Sequence, residues 1–209
     1  MQERTIYFLF TDTGTVLSRT IHYCTKTSYN HVSISNDRAL KDVYSFGRKN
    51  PNNPFIGGFV KEDIHSEFFK KSQSAIYRYQ LSEAEYQSII RNIEEIEARK
   101  HDYKYNFIGL FGILLQIEIK RKNAFFCSQF VATVLKDLEK FQFGKPASLT
   151  TPTDLRMIEG MQLVYQGRLE DYRPNHAIEE RKLVIGDQIS PKQSFTFFLS
   201  NTVKRFVIK

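Results

Sequence analysis

The sequence has no tryptophan, only two cysteines and no apolar run long enough to cross a bilayer. Two cysteines cannot build a disulfide framework, and residues 1–4 are not followed by the long apolar region of a signal peptide. We therefore expect a reducing, cytoplasmic setting. The longest apolar stretch, residues 107–119, is interrupted by glycines and polar residues and is too short for a transmembrane segment.

Ordered metal-ligand spacings and nucleic-acid signatures are also lacking. His22, Cys24 and His31 do not complete the set of three or four ligands that zinc requires, so we expect no metal and no cofactor. The net charge of +7 favours an anionic surface as a partner. The basic clusters at residues 120–122 and 181–182 are short and carry no aromatic RNA-binding signature, so no specific nucleic-acid partner is expected.

The sequence does contain enough apolar material for one sizeable core. Its 209 residues include 18 phenylalanines and 11 tyrosines, and 41% of them are hydrophobic. A chain of this size can be stable without disulfides or metals. Because the composition changes near residue 175, we expect a domain over residues 1–175 and a C-terminal extension over residues 176–209, with short strands that pack on the same domain.

Apolar periodicity predicts a mixed α+β protein. Residues 5–10 form a β-prone run typical of a central strand, and residues 82–85 form a capping box at the start of a helix. Further strands are predicted at residues 28–35, 43–46, 74–81 and 162–169, further helices at 16–23, 107–115, 124–135 and from 151, and a long loop at 47–58.

One of the two cysteines lies in the predicted helix at residues 124–135. Asn123 is a candidate N-cap, which would place Cys127 in or near the first turn. Unpaired N–H groups and the helix macrodipole favour a nucleophilic thiolate there. Packing is the competing interpretation, because Cys127 shares the buried face of the helix with Val131 and Val134 and free cysteines are commonly buried.

A thiol nucleophile needs a nearby base, and His31 is the best-placed histidine. In the strand around it, Val32 and Ile34 share one face while His31 and Ser33 share the other, so His31 points away from the apolar side. The remaining histidines fall in predicted helix, loop, charged or C-terminal segments. A histidine with this phase can act as a general base, although surface histidines of this kind are common.

Three separate motifs occur in an order that is typical of one protein family. Residues 29–34 (YNHVSI) precede residues 126–131 (FCSQFV), and residues 151–155 (TPTDL) follow. This arrangement resembles the circularly permuted NlpC-like branch of papain-fold cysteine hydrolases, in which the histidine strand precedes the cysteine helix. The resemblance implies an antiparallel sheet packed against helices, with the nucleophile at a helix N-terminus, and it covers residues 5–172.

The resemblance also implies roles for individual residues. Cys127 corresponds to the nucleophile and His31 to its base. The third polar residue of the family usually lies on the strand after the histidine strand, so Ser45 is the candidate and Tyr44 the second choice. Serine orients an imidazolium only through a neutral hydrogen bond, which is weaker than a bond to a carboxylate.

Substrate contacts are expected from four residues around this centre. The resemblance implies that Tyr103 and Tyr105 line the cleft, together with Tyr44 and Gln129. Many relatives carry an acidic residue at the position of Gln129. We expect this difference to affect substrate contacts more than the thiolate.

These expectations lead to a cysteine hydrolase that cleaves an amide bond, in a peptide or a cell-wall-type peptide, through an acyl-enzyme. Two alternatives stay open. One is a lipid-directed acyltransferase or phospholipase of the lecithin–retinol acyltransferase type, acting on a lipid-derived amide or ester. The other is a non-catalytic binding module with a papain-like cleft.

Overall fold

The computed structural model of the protein describes residues 3–12, 29–50, 53–115 and 117–174. The helix predicted at residues 16–23, with His22, and also Cys24 and the strands predicted within residues 176–209 lie outside the described residues. All elements given below belong to one compact unit, Met1–Asn175. None of the helices in the described part of the chain is long and apolar enough to span a membrane.

Over these described residues the fold is mixed α+β, with eight strands. They are β1 (Glu3–Asp12), β2 (His31–Ser35), β3 (Val43–Asn50), β4 (Asn53–Lys61), β5 (Gln73–Ser82), β6 (Lys104–Tyr105), β7 (Ala124–Phe125) and β8 (Gln162–Arg168). Six of them form one sheet in the order β4-β3-β2-β1-β5-β8, and every neighbouring pair is antiparallel. The prediction of a central strand at β1 is confirmed. The short strands β6 and β7 pair in parallel in a separate sheet.

Helices connect and cover the sheet. They are α1 (Glu67–Lys70), α2 (Glu83–Ala98), α3 (Phe107–Leu115), α4 (Cys127–Val134) and α5 (Pro152–Arg156). The predicted capping box at α2 is present, because Ser82 and Glu85 exchange side-chain and backbone hydrogen bonds. A second capping box, between Thr151 and Asp154, starts α5.

Both faces of the sheet are buried. On one face α4 packs against β2 and β3. The core of that face includes Phe8, Phe10, Val32, Ile34, Phe46, Cys127, Phe130 and Val131. The opposite face carries a second cluster that includes Leu9, Val43, Phe69, Ile76 and Leu169. Val32 and Ile34 therefore face α4, as the alternation in β2 predicted.

The long loop predicted at residues 47–58 is wrong. Most of that segment belongs to a hairpin in which β3 continues to Asn50 and β4 begins at Asn53. Gly47 pairs with Gly58 and Phe46 with Phe59 across this hairpin. Glycine and proline in the sequence suggested a loop, but backbone pairing between the two strands outweighed their low strand propensity.

The predicted start of the cysteine helix is also wrong by three residues. Ala124 and Phe125 form β7, and Asn123 adopts a left-handed backbone conformation with a φ of 51° just before it. The helix N-cap is Phe126, not Asn123. Pairing of β7 with β6 holds this segment extended, so the helix begins later and Cys127 becomes its first residue.

Candidate active site

Two residues singled out from the sequence meet where two elements begin. His31 is the first residue of β2, and Cys127 is the first residue of α4. The Cys127 thiol lies near the His31 imidazole, since its charge and its hydrogen bond with the ring both raise the pKa of His31. Cys127 is 5% exposed and belongs to the core under the sheet. Cys127 therefore does pack on the core face of its helix, and the same position also brings its sulfur to His31.

A buried carboxylate holds the other side of the imidazole. Nε2 of His31 lies 2.7 Å from Oε1 of Glu62, and the side chains of the two residues are 13% and 4% exposed. Glu62 directly follows β4, and its backbone N–H donates to the Val43 carbonyl at 2.8 Å, which extends the pairing of β3 and β4. The sheet itself thus places this carboxylate beside His31.

Ser33 completes the polar cluster. It stands two residues after His31, on the same face of β2, and its hydroxyl donates to Oε2 of Glu62. Its Oγ also lies 3.3 Å from Nε2 of His31. Because an ionised carboxylate only accepts hydrogen bonds, Nε2 carries a proton and donates. That leaves Nδ1 as the ring nitrogen available to the sulfur of Cys127.

The electrostatics of the cluster favour a charged imidazole. Burial alone would lower the pKa of His31. The charges of Glu62 and Cys127, with the hydrogen bonds from both, outweigh burial and raise the pKa of His31 well above its usual range. An imidazolium held between a carboxylate and a sulfur is the arrangement that a thiol nucleophile requires.

Phe69 and Gly47 border the His31–Glu62 pair. The ring of Phe69 lies 6.1 Å from that of His31, centroid to centroid. On the strand beside β2, an ideal Cβ at Gly47 would lie 3.6 Å from Oε1 of Glu62 and 3.9 Å from Cε1 of His31. Any side chain longer than a methyl group at residue 47 would therefore press on the ion pair.

The start of α4 is fixed in position but keeps its backbone donors available. The Phe126 N-cap makes no side-chain capping hydrogen bond. Ser128, in the first turn, is buried and donates its hydroxyl to the Thr150 carbonyl at 2.7 Å. The first N–H groups of a helix have no partner within the helix, so those near Cys127 can serve an oxyanion.

Ser45, the predicted third catalytic residue, is engaged elsewhere. Its buried hydroxyl donates to the Val32 carbonyl at 2.9 Å. The acid that contacts His31 is Glu62, one strand further along the chain. Tyr44 lies on the face of the sheet that α4 covers, opposite to the face of His31 and Glu62, and its ring stacks on Phe59 at 6.0 Å.

The remaining predicted substrate contacts lie close to the start of α4. Tyr103 stacks on Phe125, two residues before Cys127, with ring centroids 5.2 Å apart. Tyr105 packs against Gly57, where an ideal Cβ would lie 2.8 Å from the tyrosine Cβ. Gln129 is mostly buried, and its Oε1 accepts a hydrogen bond from Nδ2 of Asn106 at 3.3 Å.

Sequence reasoning missed Glu62, Ser33 and Asn106. The loop predicted at residues 47–58 conceals Glu62, because a loop provides no strand alternation from which the side of Glu62 could be predicted. A hairpin over β3 and β4 would have placed Glu62 opposite Val43. For Ser33, the signal was its shared face with His31. Asn106 directly precedes the apolar helix α3, which is an N-cap position.

Among the residues that the structure describes, no three histidine, cysteine, aspartate or glutamate side chains cluster as a metal site. The His31–Glu62 pair has the geometry of a charge pair. The chain matches no protein-family model, and comparisons with curated proteins and with solved structures find no relative.

Proposed function

We propose that the protein is a cysteine hydrolase that cleaves an amide bond through an acyl-enzyme on Cys127. One observation carries the proposal. His31 is bound on one side by the buried carboxylate of Glu62, at 2.7 Å, while its ring also reaches the thiol at the start of α4. The candidate base thereby has the candidate nucleophile on one side and the group that orients it on the other.

The reaction begins with Cys127 as a thiolate, because its proton already resides on Nδ1 of the His31 imidazolium. The thiolate attacks the substrate carbonyl carbon, and the carbonyl oxygen becomes an oxyanion. The imidazolium then donates its proton to the leaving amine as the carbon–nitrogen bond breaks. A thioester of Cys127 and a free amine are the products of this half-reaction.

Water completes the cycle. His31, neutral after acylation, takes a proton from a water molecule that attacks the thioester, and the acid product leaves as the thiolate forms again. Glu62 keeps Nε2–H in place throughout and stabilises each imidazolium. Backbone N–H groups at the start of α4 are the candidate oxyanion donors, because Phe126 supplies no side-chain cap.

The choice of an amide substrate rests on the resemblance to permuted NlpC-like hydrolases, whose members suggest a peptide of the cell-wall type. The cluster would treat an ester in the same way. In support of the papain-like comparison, the histidine strand β2 precedes the cysteine helix α4 and packs against it.

A second candidate is a lipid-directed acyltransferase or phospholipase with the same nucleophile. The observation that favours it is the apolar helix α3, which has no polar residue and exposes Ile108. In this case a lipid ester or amide would acylate Cys127, and the acyl group would pass to water or to another acceptor.

Thiol labelling tests the centre without knowledge of the substrate. In a Cys24→Ser background, Cys127 is the single thiol of the chain. We expect iodoacetamide at pH 7 to alkylate it at least about tenfold faster than in the same background with His31→Ala, because loss of the imidazolium removes the charge that stabilises the thiolate. Ser45→Ala is the matched control and should keep the fast rate.

Equal labelling rates with and without His31, in variants with unchanged circular dichroism, would contradict the proposal and favour a non-catalytic module. Substrate class follows from mass spectrometry of Cys127 after incubation with muropeptides or with phospholipid vesicles. A thioester trapped only with muropeptides supports the amide hydrolase, and one trapped only with phospholipids supports the second candidate.

A further inference from the structure

Helix α3 is unusual among the helices of the described chain because it has no polar residue and yet exposes a residue in its first turn. Its sequence is FIGLFGILL. A surface helix normally carries polar residues on its outer face, and one that is apolar all round is normally buried. Here Ile108 is 51% exposed, in the first turn of α3.

The chain after α3 enlarges this apolar surface. The backbone N–H of Ile117 donates to the Gly112 carbonyl at 2.9 Å, so the segment folds back on the helix end. Ile108 and Gly112 are one turn apart and share a face of α3. Ile117 is 57% exposed, so the helix and the segment that folds back on it each carry an exposed isoleucine.

Exposed cations lie near the two isoleucines in the sequence. Strands β6 and β7 are parallel, so the segments that lead into them lie at the same end, and the Lys104 N–H donates to the Asn123 carbonyl there at 2.9 Å. These two segments carry six exposed cations: Arg99, Lys100, Lys104, Lys120, Arg121 and Lys122. Their exposed carboxylates are only those of Asp102 and Glu118.

We propose that this basic–apolar surface, formed by Ile108, Ile117 and the six cations, docks the protein on an anionic lipid bilayer. Isoleucines that enter the boundary between headgroups and acyl chains, surrounded by lysines and arginines that reach the phosphates, are the composition of interfacial membrane-binding segments. Each cation near an anionic leaflet strengthens binding about fivefold. A nucleic acid would use the cations but would gain little from exposed aliphatic side chains.

The surface adjoins the candidate active site. Asn106, which lies directly before α3, donates to Gln129 in the first turn of α4. Docking through α3 would therefore hold the start of the cysteine helix close to the lipid headgroups. The docking itself does not depend on Cys127 chemistry, so it can fail or succeed independently of the proposed function.

Vesicle sedimentation tests the surface with the full chain. We expect the protein to sediment with vesicles of phosphatidylcholine and phosphatidylserine at 7:3 and about 0.1 M salt, and to remain in solution with phosphatidylcholine alone. The triple substitution Lys120→Glu, Arg121→Glu and Lys122→Glu should weaken binding by about a hundredfold or more. Ile108→Asp with Ile117→Asp should abolish binding, because aspartate cannot enter the acyl-chain boundary. Both side chains are exposed, so these substitutions should leave the core intact.

Matched controls carry the same changes on other elements. Lys71→Glu, Arg91→Glu and Lys136→Glu alter the charge equally at exposed positions outside the surface, and Met157→Asp with Leu163→Asp replaces two other exposed apolar residues. Both controls should bind vesicles like the unaltered chain. A Cys127→Ser variant should also bind normally, whatever the outcome for catalysis.

Three results would overturn the proposal. The first is absence of sedimentation with anionic vesicles, and the second is equal loss of binding in the surface variants and their controls. The third is evidence that something other than a membrane occupies the surface, and either of two observations would give it. A dimer in light scattering that Ile108→Asp and Ile117→Asp dissociate would assign the surface to self-association. Binding to a DNA duplex that survives the aspartate substitutions but not the charge reversals would assign its cations to nucleic acid.

Discussion

Nε2 of His31 lies 2.7 Å from Oε1 of Glu62, although the two residues are 31 positions apart in the sequence. Antiparallel pairing of β2 with β3 and of β3 with β4 brings them together. Both side chains are mostly buried, so the desolvation penalty of either charge would be uncompensated if the other were absent. The pair therefore links the stability of the sheet to the protonation state of the candidate base.

The protonation of His31 should depend on Glu62. In Glu62→Gln the amide cannot supply the negative charge that opposes burial, so the pKa of His31 should fall from its raised value. The measurement is the chemical shift of the His31 ring carbon-bound proton in NMR spectra recorded across pH. The unaltered chain should keep the ring protonated to a higher pH than the variant does.

Ser33→Ala and Ser45→Ala provide the comparison for this titration. Ser33 donates to Glu62, whereas Ser45 donates to the Val32 carbonyl. Loss of the Ser33 hydroxyl should lower the pKa of His31 by less than Glu62→Gln does, because the carboxylate stays. Ser45→Ala should leave the titration unchanged, and a fall in Ser45→Ala equal to that in Glu62→Gln would restore Ser45 as the orienting residue.

The free energy of unfolding should fall with rising pH because of His31. The raised pKa of His31 means that the folded state holds a proton in a range where the unfolded chain has lost it. This contribution is complete below about pH 6.5, the ordinary value for histidine, and is lost as pH rises through the folded-state value. The slope for one proton is at most about 1.4 kcal/mol per pH unit.

Urea denaturation at several pH values between 6 and 9 measures this effect. The free energy of unfolding of the unaltered chain should decline more over the range than that of Glu62→Gln. The two proteins differ only at residue 62, so the difference between the two curves isolates the His31–Glu62 pair. Parallel curves would show that Glu62 does not raise the proton affinity of His31.

Local patterns in the sequence predicted most elements of the fold correctly. Alternation in β2 predicted which side His31 faces, and the Ser82 capping box marked the start of α2. These signals are local, because they depend on residues within one strand or one helical turn. The same is true of the α5 start at Thr151.

The parts that sequence patterns did not predict depend on partners distant in the chain. Glu62 contacts His31 only because β3 and β4 form a hairpin, and the α4 start shifts to Cys127 only because β7 pairs with β6. Asn123 looked like an N-cap by residue type, since asparagine also tolerates the left-handed conformation that it adopts here. Tertiary pairing decided between these two roles.

Two glycines of the β3–β4 hairpin should respond differently to a methyl group. A Cβ at Gly57 would lie 2.6 Å from the Gly47 carbonyl oxygen and 2.8 Å from the Tyr105 Cβ, both of which are fixed. Gly57→Ala should therefore lower the free energy of unfolding by about 1–3 kcal/mol. At Gly47 the nearest atom to a new Cβ is Val60 Cγ2 at 3.4 Å, so Gly47→Ala should change stability by less than about 1 kcal/mol.

Chemical denaturation of the two alanine variants tests this contrast. Gly144→Ala serves as a different reference, because its φ of 62° is strained for alanine although no atom lies within 4 Å of the new Cβ. Equal losses in Gly57→Ala and Gly47→Ala would contradict the close approach of Tyr105 to the hairpin.

Asn106 should stabilise both helices that border the site. Its Oδ1 accepts from the Gly109 N–H at 3.0 Å, which caps α3, and its Nδ2 donates to Gln129 in α4. Asn106→Ala removes the cap, worth about 0.5–2 kcal/mol, and leaves the buried Gln129 oxygen without its donor, at about 1–3 kcal/mol. We expect a total loss of about 2–4 kcal/mol in urea denaturation.

Gln129→Ala separates the two contributions, because it removes the acceptor in α4 but keeps the cap of α3. Its cost should be smaller than that of Asn106→Ala, by about the value of the cap. The Asn106→Ala and Gln129→Ala double variant should lose less than the sum of the single losses, since the two side chains share one hydrogen bond. Strict additivity would mean that α3 and α4 are not coupled through this bond, and equal single losses would mean that Asn106 does not cap α3.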